Sequence, residues 1–79
     1  MEKKKIEDVV ISVIKTILKT DTVEPQSGRE NLPDWNSLRH IEIVFAIEDE
    51  LGVAFSEEEM GSLDTVEKIV QTVMTRDAS

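Results

Sequence analysis

The chain contains no cysteine, a single histidine and a single tryptophan, and only two prolines and three glycines in 79 residues. The absence of cysteine excludes disulfides, thiolate metal sites and a cysteine nucleophile. No apolar run approaches the roughly 20 residues that a membrane-crossing helix needs. The start, Met1-Glu2-Lys3-Lys4-Lys5, is basic, but polar and apolar residues alternate after it. The continuous apolar stretch and small-residue cleavage site of a secretory signal are missing. The expected compartment is the cytoplasm, with no membrane as partner. Basic residues are scarce as well: 9 Lys and Arg stand against 17 Asp and Glu, for a net charge of −8. The imbalance is local, since residues 40–67 hold nine acids and no lysine or arginine. Such a surface repels phosphate backbones, which argues against nucleic acid, and it attracts proteins with basic surfaces. Acids at this density also serve solubility alone, so charge by itself decides nothing. Their mutual repulsion is expected to raise their folded pKa values, and so to lower stability as pH rises.

The length fits a single domain over residues 1–79, with a small core. Ile6, Val9, Val10, Val13, Ile14, Ile17 and Leu18 recur at three and four, which predicts an amphipathic helix from about Glu2 to Lys19. Residues 20–36 contain both prolines, Gly28 and many polar residues, and read as a loop. A loop of that length inside a small domain tends to be functional or partly mobile. A second helix is expected from Ser37 to Leu51, with Asn36 as its N-cap and Gly52 as a left-handed C-cap. Ser56 can cap a brief helix over Glu57 to Met60, stopped by Gly61. The last helix is expected to open on Asp64-Thr65-Val66-Glu67, an acidic variant of the capping box, with Arg76 onward frayed. Its apolar residues Val66, Ile69, Val70, Val73 and Met74 keep helical spacing. Three long helices, one short helix and a long loop after the first make an all-α, four-helix bundle.

The second helix carries two apolar stripes. At about 100° per residue, Ile43, Val44, Ile47 and Leu51 gather on one side, and Leu38, Ile41 and Phe45 on another. A small domain has only two other long helices with which to cover them. Either Leu38, Ile41 and Phe45 stay exposed, flanked by Glu42, Glu48 and Asp49 as an acid-rimmed docking strip, or the long loop folds over them as core. Periodicity leaves both open.

Ser37 stands at the start of this helix, where a serine is ordinarily a cap. Asn36 already offers a cap, which would free the Ser37 hydroxyl to point outward. The unpaired amides and partial positive charge of a helix N-terminus also suit a phosphate.

The run Leu32-Pro33-Asp34-Trp35-Asn36-Ser37-Leu38-Arg39-His40-Ile41-Glu42-Ile43-Val44-Phe45-Ala46-Ile47-Glu48 resembles the attachment-site region of the acyl carrier protein family. The similarity continues through Glu50-Leu51-Gly52-Val53 and Asp64-Thr65-Val66, and with the order of elements covers nearly the whole chain. The resemblance implies an acyl-carrier-type bundle in which Ser37 carries a covalent 4'-phosphopantetheine donated by coenzyme A, with Asn36 flanking it. It also implies that the helix begun by Ser37 is the partner-recognition helix, which favours Leu38, Ile41 and Phe45 as an exposed docking strip with Glu42 and Glu48 beside it. The expected function is that of a free-standing, monomeric carrier of acyl or aminoacyl thioesters. The implied partners are a phosphopantetheinyl transferase and acyl- or aminoacyl-activating and acyl-transferring enzymes with basic docking surfaces. One position departs from the family: aspartate usually precedes the serine, and here it is Asn36, which keeps the capping role without the charge. A carrier-like interaction module without the prosthetic group is the alternative.

No catalytic set is present, so the chain is expected not to be an enzyme. His40 falls toward the core side of the second helix and reads as a partly buried or capping-region residue rather than a base. The acids around Gly52 do not match an EF-hand, because a loop with Gly52 sixth would put Ile47 in the first ligand position. Glu57, Glu58 and Glu59 read as a solvated face, with loose cation binding as the lesser alternative, and no defined metal site is expected.

Overall fold

Ile6, Val10, Ile14 and Leu18 are spaced one helical turn apart, and all four are buried along one face of α1 (Lys3–Leu18). A computed structural model describes residues 2–78, with side chains through Arg76. After α1 come a long loop, α2 (Ser37–Leu51), the short α3 (Glu57–Ser62) and α4 (Val66–Ala78). The chain is all-helical and compact, with no strand among the described residues; one isolated antiparallel bridge joins Gly28 to Thr65.

The buried stripe of α1 packs against both α2 and α4. Ile43, Val44 and Ile47 supply the α2 side of the core, and Val66, Ile69, Val70 and Val73 the α4 side. Leu51 packs against the core from its edge. Full burial of each such aliphatic side chain is worth about 1.5–3 kcal/mol. The core thus sits between three helices, and α3 contributes no buried residue to it. Phe55 and Leu63, which flank α3, are the side chains that enter the core there.

The loop is pinned rather than draped. Val66 N–H donates to the Ser27 carbonyl at 2.9 Å and Arg29 N–H to the Asp64 carbonyl at 2.9 Å, so the Gly28 segment lies against the start of α4. A Cβ at Gly28 would come within 2.8 Å of the Thr65 methyl and 2.9 Å of the Asp64 carbonyl oxygen, so this approach requires glycine. Val23 and Trp35 anchor the two halves of the loop in the core.

Three expectations about helix ends need correction. Gly61 does not stop α3, which runs through it to Ser62 and ends where the buried Leu63 draws the chain inward. Asp64 and Glu67 do not form a capping box. The Asp64 backbone is committed to the loop, and the Thr65 hydroxyl instead accepts the Lys68 N–H at 3.0 Å. The helix does not fray at Arg76; it continues to Ala78, and the Arg76 guanidinium pairs with Glu59 on α3.

Candidate functional site at the start of α2

The Asn36 side chain accepts the Arg39 N–H at 2.9 Å, and the His40 N–H closes the first helical bond onto the Asn36 carbonyl at 2.8 Å. Asn36 is therefore the cap, and Ser37, the first helical residue, is released from that duty. Ser37 is exposed, and no hydrogen bond joins its hydroxyl to another described residue. The backbone N–H groups of Ser37 and Leu38 also take no partner there, so two free amides and a free hydroxyl sit together at a helix N-terminus.

The apolar stripe that begins beside Ser37 is left uncovered. Leu38 is 66% exposed, Ile41 46% and Phe45 55%, while Ile43, Val44 and Ile47 are fully buried on the opposite side. The loop does not fold over the strip, because its own apolar anchors, Val23 and Trp35, go into the core instead. Of the acids around the strip, two have internal partners. Glu42 forms an ion pair with Arg39 at 3.0 Å. Glu48 is half-buried, and its carboxylate accepts the Phe55 N–H at 2.7 Å, which fastens the α2–α3 connection. Asp49 is exposed with no ion-pair partner among the described residues, and one turn after Phe45 it supplies free charge at the rim.

The segment before Ser37 is fixed by a cluster that sequence reasoning did not assemble. Trp35 is 2% exposed, and its indole N–H donates to His40 Nδ1 at 3.0 Å. His40, at 8% exposure, reaches the Met60 carbonyl of α3 through Nε2 at 2.6 Å. The Arg29 Nε–H donates to the Trp35 carbonyl at 3.3 Å. A lone tryptophan and a lone histidine five residues apart were the available signal. Helical angle placed His40 inward but could not name its partners.

Among the described residues, two carboxylates are held away from their ordinary values, and both move down. Glu59 accepts from the Ser56 backbone N–H and pairs with Arg76, and these hold its carboxyl low. Asp64 is lowered chiefly by the Lys68 ammonium, 3.0 Å from its Oδ1. The expected rise from mutual repulsion is not what these groups show: local cations and N–H donors outweigh more distant like charges. Glu59 accordingly leaves the solvated acidic face expected of residues 57–59, whereas Glu57 and Glu58 remain exposed. No cluster of three or more histidines and acids suited to a metal occurs among the described residues. None of their helices is long and apolar enough to cross a membrane. A groove of about 410 Å³ between α1 and α2, lined by Val9, Val13, Ile17, Ala46, Asp8 and Glu50 among others, does not include Ser37.

No family model matches the chain, and no curated protein matches it significantly.

Proposed function

We propose that this chain is an acyl or aminoacyl carrier protein of the acyl carrier type, with 4'-phosphopantetheine attached at Ser37. The observation that carries the reading is the exposed, unpartnered Ser37 hydroxyl at the N-terminus of a helix with an uncovered apolar strip running from it. The residues present suit the group. Free amides at Ser37 and Leu38 and the positive end of α2 favour a phosphodiester, and Asn36 holds the first turn without occupying the serine. When bound, the arm supplies a thiol that carries cargo as a thioester. The protein's share is to hold the serine outward and to offer partners a docking face.

Leu38, Ile41 and Phe45 supply the apolar part of that face. Asp49 leaves free negative charge at its rim, beside Glu42, which is paired with Arg39, and the half-buried Glu48, and this charge steers basic partner surfaces. Those partners are the transferase that loads the arm and the enzymes that charge and unload it. Tethering keeps the cargo at high effective concentration for successive enzymes without release into solution. Bond-making belongs to those enzymes, so the carrier itself is not catalytic.

Incubation with coenzyme A and a broad-specificity phosphopantetheinyl transferase should add the mass of one phosphopantetheine, and the Ser37→Ala variant should gain nothing. Modification at a different serine, or none with several transferases, overturns the reading. The second outcome favours the interaction module without a prosthetic group, the alternative to which Asn36 in place of aspartate points.

A further inference from the structure

The cluster behind Ser37 has only one consistent arrangement of protons. An indole N–H donates and cannot accept, so His40 Nδ1 must accept from Trp35. The ring proton is then on Nε2, where it donates to the Met60 carbonyl, which can only accept. Both ring nitrogens are satisfied in a buried setting, and three separate parts of the chain meet on one side chain: the loop end, α2 and α3.

The same ring closes a frame around the serine. Trp35, two residues before Ser37, is held by its indole to His40 and by its carbonyl to Arg29. His40, three residues after Ser37, is held by its N–H to the Asn36 carbonyl. Ser37 thus lies on a short bridge whose two ends are fastened to each other. The far side of the ring fastens α3, which has no fully buried side chain and reaches the core only through the partly buried Met60. Besides this bond, α3 and the connection leading to it are tied to the other helices by the polar contacts Glu48 to Phe55 and Glu59 to Arg76.

We infer that His40 is a positioning residue for the attachment reaction: through Trp35 it fixes the backbone that presents Ser37, and through Met60 it fixes α3 relative to that residue. This rests on the carrier reading given above. The transferase would meet one preset arrangement of serine and neighbouring surface. A small misplacement of a reacting group is expensive in rate, up to about 10²-fold per ångström. Loss of the ring's hydrogen bonds should therefore lower kcat for modification more than it raises KM for the carrier, since the exposed docking strip is untouched.

The test compares the parent with His40→Phe, which keeps a ring but neither hydrogen bond, and with His40→Gln, whose amide offers one acceptor and one donor. Trp35→Phe removes the indole donor from the other side and serves if His40→Phe does not fold. Each variant is first shown to be folded by its circular dichroism melt, then assayed with coenzyme A and one transferase. The expected result is a kcat lowered roughly ten-fold or more in His40→Phe and Trp35→Phe, with partial recovery in His40→Gln. In the parent, the Trp35 indole N–H should exchange slowly with deuterium, and in His40→Phe quickly. A folded His40→Phe protein modified at the parent's kcat overturns the positioning role and leaves the carrier reading standing. A parent that no transferase modifies overturns the carrier reading and this role with it. A fast-exchanging indole N–H in the parent overturns the frame regardless of activity.

Discussion

Ser37 and Asn36 divide between them two tasks that one residue could not perform. A serine that caps its own helix spends its hydroxyl on a backbone amide, whereas here the Asn36 side chain takes the Arg39 N–H and leaves Ser37 free. Asparagine and aspartate cap about equally well, so stability does not distinguish them at this position. They differ in charge, and under the proposed carrier function a carboxylate beside the serine is available to basic groups of the modifying enzyme. Asn36→Asp should therefore speed modification roughly two- to five-fold at low salt, the effect of one exposed charge pair worth about 0.4–1 kcal/mol. The gain should shrink as sodium chloride is added, and the melting temperature should hardly change. Equal rates for the two proteins across a salt series would show the missing charge to be neutral.

At the scale of elements, the loop over residues 20–36 behaves as a structural member. Its contact with the start of α4 is made backbone to backbone, through Ser27 and Arg29 on one side and Val66 and Asp64 on the other. Only glycine permits the approach at position 28, where an added methyl would press on the Thr65 side chain and the Asp64 carbonyl. Gly28→Ala is expected to destabilise the protein by about 1–3 kcal/mol, the range for overpacking a close contact. A urea melt should show the change as a lower midpoint with an unchanged slope. A Gly28→Ala variant as stable as the parent would mean that the loop can lift from α4 at no cost.

For the whole molecule, the question is how a net charge of −8 is tolerated on so small a core. Part of the answer is that some acids are paired: Glu42 with Arg39, Asp64 with Lys68 and Glu59 with Arg76. The folded values of Glu59 and Asp64 lie below their ordinary 4.5 and 3.8. A lowered carboxylate pKa contributes stability that is fully present above the ordinary value and is lost as pH falls through the lower folded one. The melting-temperature difference between the parent and Glu59→Gln should thus be constant from pH 6 to 8 and should close below about pH 4.5. A difference that slopes between pH 6 and 8 would contradict this assignment. The unpaired remainder still repels at long range, and added sodium chloride at neutral pH should raise the parent's melting temperature by screening it.

Helix positions were legible in the sequence because periodicity and capping are local. Ile6, Val10 and Ile14 mark one face of α1 by spacing alone, and Asn36, Gly52 and Ser56 act at the ends where their chemistry places them. At Asp64 and Arg76 the helix ends differ from expectation because a residue distant in sequence takes the same groups, and at Gly61 because the chain turns only where Leu63 enters the core. That Ser37 opens α2 beside a capping Asn36 was likewise readable, since the two are adjacent residues; its candidacy as an attachment site came from the resemblance. Whether the Leu38, Ile41 and Phe45 stripe of α2 stays exposed or joins the core was not readable from periodicity, which counts faces without saying what covers them; the resemblance alone favoured exposure. Tertiary structure decided it: α1 packs on α2, Val23 and Trp35 carry the loop into the core, and Leu38, Ile41 and Phe45 stay in water. The union of Trp35, His40 and Met60 also exists only in three dimensions, since a hydrogen bond across 20 residues leaves no periodic trace.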